Sequence, residues 1–218
     1  MIKNRSLAGK WAIGLFSLTL ILVVLAFSTQ NWLASDDRFY GAKLEKMGLW
    51  VHCFRSLTGP NDPTQRLFFS GCRWLFDTYT TGYAEIRSHL TPPFFIAVQM
   101  FYTLTFMCTA TSGVLVLMLM FCIDEDRETC FLRVIATLMG LSGICGTLSV
   151  IIFGANGRSY EWTADKQHNY LSWSYGLGVL ASFLALCDMA LFLVDARIKQ
   201  RKLEGRGSTR PKVKDTEI

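Results

Sequence analysis

The chain has 218 residues, 51% of them hydrophobic and 18% charged, with a formal net charge of +5. A soluble domain carries about 25% charged residues, so this composition excludes an ordinary soluble globular protein. The excess of Lys and Arg requires no nucleic-acid partner, because most of it flanks apolar segments, where it acts as an orientation signal.

Residues 1–10 form a short basic N-terminus with Lys3, Arg5 and Lys10. Residues 11–29 contain no charge in 19 positions. A bilayer core of about 30 Å takes roughly 20 helical residues, so this is the first expected span. A signal peptide has a shorter apolar run, roughly 7–15 residues, and a small-residue cleavage site. Gln30-Asn31-Trp32 offers no such site, and the segment reads as retained.

The loop at residues 30–93 precedes a second charge-free span at 94–123. That span is long, about 45 Å at 1.5 Å per residue, and must tilt or project beyond the bilayer. A tight turn at 124–133 leads to a third span at 134–154. A short loop at 155–170, a fourth span at 171–194 with one charge, Asp188, and a polar tail at 195–218 complete the chain.

With both termini inside, the inner pieces hold 13 Lys and Arg in 44 residues and the outer loops 9 in 80. The positive-inside bias therefore places both ends in the cytoplasm, where the basic stretch 197–214 lies beside anionic lipids. The tail is polar and Gly/Pro-containing and is expected to be disordered past about Leu203. The sequon Asn4-Arg5-Ser6 is then cytoplasmic and should be unmodified. Cys122 and Cys130, near the inner face, are candidates for palmitoylation.

Small residues recur at helical spacing in the last two spans: Ala136, Gly140, Gly143 and Gly146, then Gly178, Ala181, Ser182 and Ala185. Such residues let helix backbones approach closely, and packing within one bundle is the expected use. Asp188 lies near the inner end of its span, where a local polar contact is expected.

The first outer loop holds Cys53 and Cys72. In an oxidising compartment such a pair is most simply a disulfide. The flanks "GLWVHCF" and "RLFFSGCRW" are rich in strand-forming residues, and "TGPNDP" between them supplies turn chemistry. The stretch reads as a hairpin clipped across its strands, the closure contributing about 3 kcal/mol. His52 beside Cys53 completes no metal-ligand spacing. With no CxxC, Ser/His/Asp or paired-carboxylate pattern standing out, the residues point to no enzyme, cofactor or metal site.

Trp32 shortly after the first span, then Gly48, Leu49, Trp50, Cys53 and Cys72, resembles the W-GLW-C-C signature of the claudin family. Arg87, just before the second span, is similar to the Arg often found there in that family. The resemblance implies a four-transmembrane-helix bundle carrying a small extracellular antiparallel β-sheet, joined by a strand from the second loop. It implies that Trp32 and Trp50 seat the sheet at the outer rim, where amphipathic indoles favour the interface. The 18 residues between the cysteines resemble the longer hairpin of invertebrate septate-junction proteins.

The implied function is that of a junction protein at lateral cell contacts in the plasma membrane. It would form or seal a paracellular barrier by self-association in cis and trans, with other claudin-like proteins as partners. A stargazin-like auxiliary subunit of a channel or receptor is the alternative. Thr216-Glu217-Ile218 fits a C-terminal PDZ ligand, the carboxylate entering a backbone nest and Ile218 an apolar pocket. The first outer loop balances Arg38, Lys43, Lys46, Arg55, Arg66, Arg73 and Arg87 against Asp36, Asp37, Glu45, Asp62, Asp77 and Glu85. A near balance suits a barrier more than a charge-selective pore. Arg73 and Asp77 are the candidate selectivity charges, since such residues cluster nearby in claudins.

Overall fold

A computed structural model of the chain describes residues 6–36, 44–58, 68–79, 83, 87, 90–121, 125–157 and 169–208. Four helices are long and apolar enough to cross a membrane: α1 (Leu7–Ser28), α2 (Pro93–Phe121), α3 (Glu125–Asn156) and α4 (Trp173–Ser208). Five short strands make one sheet: β1 (Leu33–Ser35), β2 (Leu44–Met47), β3 (Val51–Thr58), β4 (Phe68–Trp74) and β5 (Asn169–Leu171). Its order is β4-β3-β2-β1-β5, and every pair is antiparallel. The expected bundle and sheet, with its strand from the second loop, are both present.

Local chemistry sets the helix ends. Ser6 caps α1, its Oγ accepting the Gly9 amide at 3.0 Å. Thr29 leaves the helix in extended backbone, φ −86° and ψ 153°. Pro93 opens α2, a position where a missing amide costs nothing. Inside the helices, hydroxyls fold back onto the preceding turn: Ser17 donates to the Ile13 carbonyl, Thr103 to Gln99 and Thr147 to Gly143, at 2.6–2.9 Å. Such bonds keep hydroxyls satisfied in a medium that offers no water.

The glycines of α3 seat side chains of α4. A Cβ on Gly140 would lie 2.6 Å from Met189 Sδ, and one on Gly143 2.6 Å from Leu186 Cδ2. Gly146 faces Ser182 just as closely. Ala181 packs instead with Leu22 and Val23 of α1, and Gly178 faces Trp32 and Tyr102. The small-residue stripes are thus used within the chain.

Two levels of contact frame the bundle. At the outer one, the Trp32 indole donates to the Ala26 carbonyl at 2.7 Å and meets the rings of Tyr102, Phe153 and Tyr175 at 5.1, 5.1 and 5.9 Å. At the inner one, Ser6 donates to Asp195. Ser6 to Ala26 in α1 and Tyr175 to Asp195 in α4 each cover about 30 Å, the thickness of a hydrocarbon core. Above the outer level, α2 continues for about 13 Å and carries the sheet.

The inner ends correct two sequence expectations. Residues 124–133 were expected to form a turn, yet α3 begins at Glu125. The tail was expected to lose order past Leu203, yet α4 runs to Ser208. Contacts between the two helices explain both. Lys199 pairs with Glu128, Arg133 donates to the Gln200 side-chain oxygen, and Gln200 donates to Glu204 at 2.9 Å one turn on. Asp188 makes the expected polar contact, accepting from Thr19 Oγ1 at 2.7 Å.

Candidate interaction surface

The sheet is held to the bundle by the residues of the family signature. The Trp32 amide donates to the Met47 carbonyl and the Gly48 amide to Val51, both at 2.9 Å, closing the turn between β2 and β3. That turn lies directly on the end of α1. A Cβ at Gly48 would lie 2.6 Å from the Thr29 carbonyl oxygen and the Gln30 Cα, both rigid backbone. Leu49 is fully buried, and its carbonyl accepts from Gln99 Nε2 at 2.6 Å. Gln99 was missed at the sequence level. It is the one side-chain amide in the charge-free window 94–123, and that oddity was the available signal.

Trp32 packs between the sheet and the end of the bundle, and does so from inside the protein, not from its surface. It is wholly buried, because its N–H finds a carbonyl inside the protein and aromatic rings enclose its faces. Trp50 is half-buried, its ring 5.5 Å from Phe27 and 6.1 Å from Phe76. Its carbonyl accepts the Leu75 amide at 2.9 Å, binding the end of β4 to the turn.

Cys53 and Cys72 are direct partners in the β3–β4 register and form a disulfide. One strand position away, His52 is fully buried, with its ring 6.4 Å from Phe54 and 5.6 Å from Phe95. Neither ring nitrogen has a hydrogen-bond partner among the described residues. Burial holds its pKa down at about 4, so the ring is neutral near neutral pH. Among the described residues, no cluster of His, Cys, Asp or Glu could hold a metal ion.

The structure brings Arg73, Asp77 and Arg87 together around Tyr83, a second residue missed in the sequence. Tyr83 is buried and packs with Phe54. Burial raises the phenol pKa, Asp77 adds to the rise, and Arg87 and Arg73 oppose it. Arg73 Nη1 lies 3.9 Å from Asp77 Oδ2, and Asp77 Oδ1 accepts the Tyr79 amide at 2.9 Å. The two candidate selectivity charges therefore offset one another. Arg87 caps the approach to α2, its carbonyl accepting from the Thr91 amide and hydroxyl at 3.0 and 2.8 Å.

β4 is an edge strand. Gly71 within it has φ +85°, a left-handed conformation next to the register shift between Phe54 and Leu57. Such irregularities limit indiscriminate edge pairing. Just beyond, Trp74, Phe76 and Tyr79 are 56%, 49% and 96% exposed. Trp74 and Phe76 touch edge to face at 5.2 Å, so an aromatic patch stands on a disulfide-bonded support. Thr216, Glu217, Ile218 and Cys122 lie outside the described residues, as do Asp37, Arg38, Lys43, Asp62, Arg66 and Glu85.

The family model described as PMP-22/EMP/MP20/Claudin tight junction matches residues 17–194. The chain belongs to this family. It is a multi-pass membrane protein with the claudin-like fold, and the family is one of structural membrane proteins. Among curated proteins no match is found. In this claudin-family chain Trp32, Gly48 and Leu49 seat the sheet, Cys53 and Cys72 bond β3 to the edge strand β4, and Trp74, Phe76 and Tyr79 beyond them are exposed.

Proposed function

We propose that this claudin-family protein builds or seals a paracellular barrier at lateral cell contacts by associating with copies of itself or with related chains, in cis and in trans. The observation that carries this is the exposed Trp74–Phe76–Tyr79 patch beside edge strand β4. Large aromatic side chains exposed together on a rigid support suit a protein contact. The local pairing of Arg73 with Asp77 favours a barrier over a charge-selective pore. The Lys and Arg bias of the sequence supports cytoplasmic termini, where Thr216–Ile218 would engage PDZ scaffolds and the basic end of α4 anionic lipids. Loss of PDZ-domain capture on deleting these three residues checks the scaffold contact.

The barrier is tested by removing the protein from an epithelium and measuring dye leakage and ion permeability separately. A barrier requires uncharged dye and ions both to leak more. Persistent dye exclusion with altered permeability to one sign of ion means a selective pore. Unchanged leakage, with the protein co-purifying with a channel, means the auxiliary-subunit alternative.

A further inference from the structure

The first and last helices are closed at their inner end by one hydroxyl. Ser6 Oγ accepts the Gly9 amide at 3.0 Å and donates to Asp195. Asp195 is wholly buried, and its other oxygen has no partner among the described residues. No space remains beside this contact, since a Cβ on Gly9 would lie 2.6–3.1 Å from the Asp195 carboxylate. Ser6 stands one residue before α1 begins, with φ −58° and ψ 155°, and is only partly buried. Lys3 and Arg5 precede it at the third and first positions, a basic setting that suits a basophilic serine kinase.

We propose that Ser6 is a phosphorylation site whose modification unlatches α1 from α4 at the inner end of the bundle. The γ-phosphoryl group of ATP passes to Ser6 Oγ. The bond to the ADP leaving oxygen breaks, an Oγ–phosphorus bond forms, and the hydroxyl proton goes to the kinase's base. Two consequences follow at once. The donor that satisfied Asp195 is lost, and a group of charge about −2 stands against a buried carboxylate. The helix N-terminus favours the phosphate, so α1 keeps its first turn. Its contact with α4 is what gives way, because the like charge is buried whereas Lys10 and Arg197 are exposed to screening solvent.

The proposal rests on the cytoplasmic placement of the N-terminus, and the sequon Asn4-Arg5-Ser6 separates the two. A glycan on Asn4 in protein from cells would place the N-terminus outside and overturn both. Otherwise, the purified full-length protein is treated with ATP and a basophilic serine kinase, and the phosphate is mapped by mass. Incorporation at Ser6, absent in Ser6→Ala, should lower the apparent unfolding midpoint by about 5 °C. It should also speed hydrogen exchange in residues 7–12 and 192–198. In Asp195→Asn, phosphorylation should shift the midpoint by less than half as much. No phosphate on Ser6, or phosphate with unchanged exchange in the wild-type protein, overturns the proposal. So does an equal shift in Asp195→Asn. Should that variant not fold, the wild-type exchange measurement decides.

Discussion

His52 is a titratable ring sealed into the seam between sheet and bundle, and its burial has a pH signature. The folded protein holds its pKa at about 4, against an ordinary value of 6.5. Between those values the unfolded chain binds a proton that the folded one refuses. The stability gained from keeping His52 neutral is fully present above about pH 6.5 and is lost as pH falls toward about 4, of order 3 kcal/mol across the window. We expect the unfolding midpoint to drop between pH 7 and pH 4.5, and His52→Phe to flatten that drop. An identical pH profile in the variant would assign the drop to other groups. The sequence showed a His beside a disulfide cysteine that completes no metal-ligand spacing, and gave no sign of its burial. Its actual setting depends on α2 bringing Phe95 against β3, a contact between residues 43 apart that local pattern does not contain. The enclosure of Trp32 was illegible for the same reason. An indole one turn past a span reads as interfacial until Tyr102, Phe153 and Tyr175 close around it.

The helices were legible because charge-free windows of bilayer length are a one-dimensional signal. Their inner ends were not, since Lys199–Glu128 and Arg133–Gln200 are pairings between helices that make polar segments helical. The hairpin was legible from its cysteines and turn residues, whereas the three-residue strands β1 and β5 are too short to carry a pattern of their own. Removing the bond with Cys53→Ser and Cys72→Ser together should cost about 2–5 kcal/mol. Digestion of the native protein without reduction should recover one linked peptide pair containing both cysteines. Free thiols at both positions in surface protein would contradict the pairing. For α3 and α4 we expect Gly143→Leu to destabilise the bundle by about 3 kcal/mol, at the upper end for overpacking. Its added side chain would meet both the Leu186 side chain and the Leu186 backbone nitrogen, the latter at 3.1 Å from the Cβ alone. The loss should be the same in monomeric, detergent-solubilised protein. Destabilisation confined to an oligomer would place this stripe between copies instead.

The sheet and the outer end of the bundle form one cooperative unit because their junction is itself a hydrophobic core. Trp32 lies at its centre, with Leu33, Met47 and Leu49 from the outer loop on one side and Val98, Tyr102 and Phe153 from the helices on the other. The bundle closes without the sheet lower down, around Phe16, Ile135 and Phe192, so damage at the junction should be felt upward more than downward. Trp32→Ala removes a fully buried indole and unpairs the Ala26 carbonyl, a change that costs about 3–5 kcal/mol. The disulfide offers a reporter for the upper layer, because its reduction needs the β3–β4 pair to open. The expected outcome is a much faster reaction of Cys53–Cys72 with a membrane-impermeant reductant in Trp32→Ala, the four helices still giving near-native far-ultraviolet circular dichroism. Reduction at the wild-type rate would mean that the sheet stands on its own strand pairing and that Trp32 serves only the bundle. Loss of helical signal together with fast reduction would extend the cooperative unit through the whole molecule, joining the cores around Trp32 and Phe16 into one.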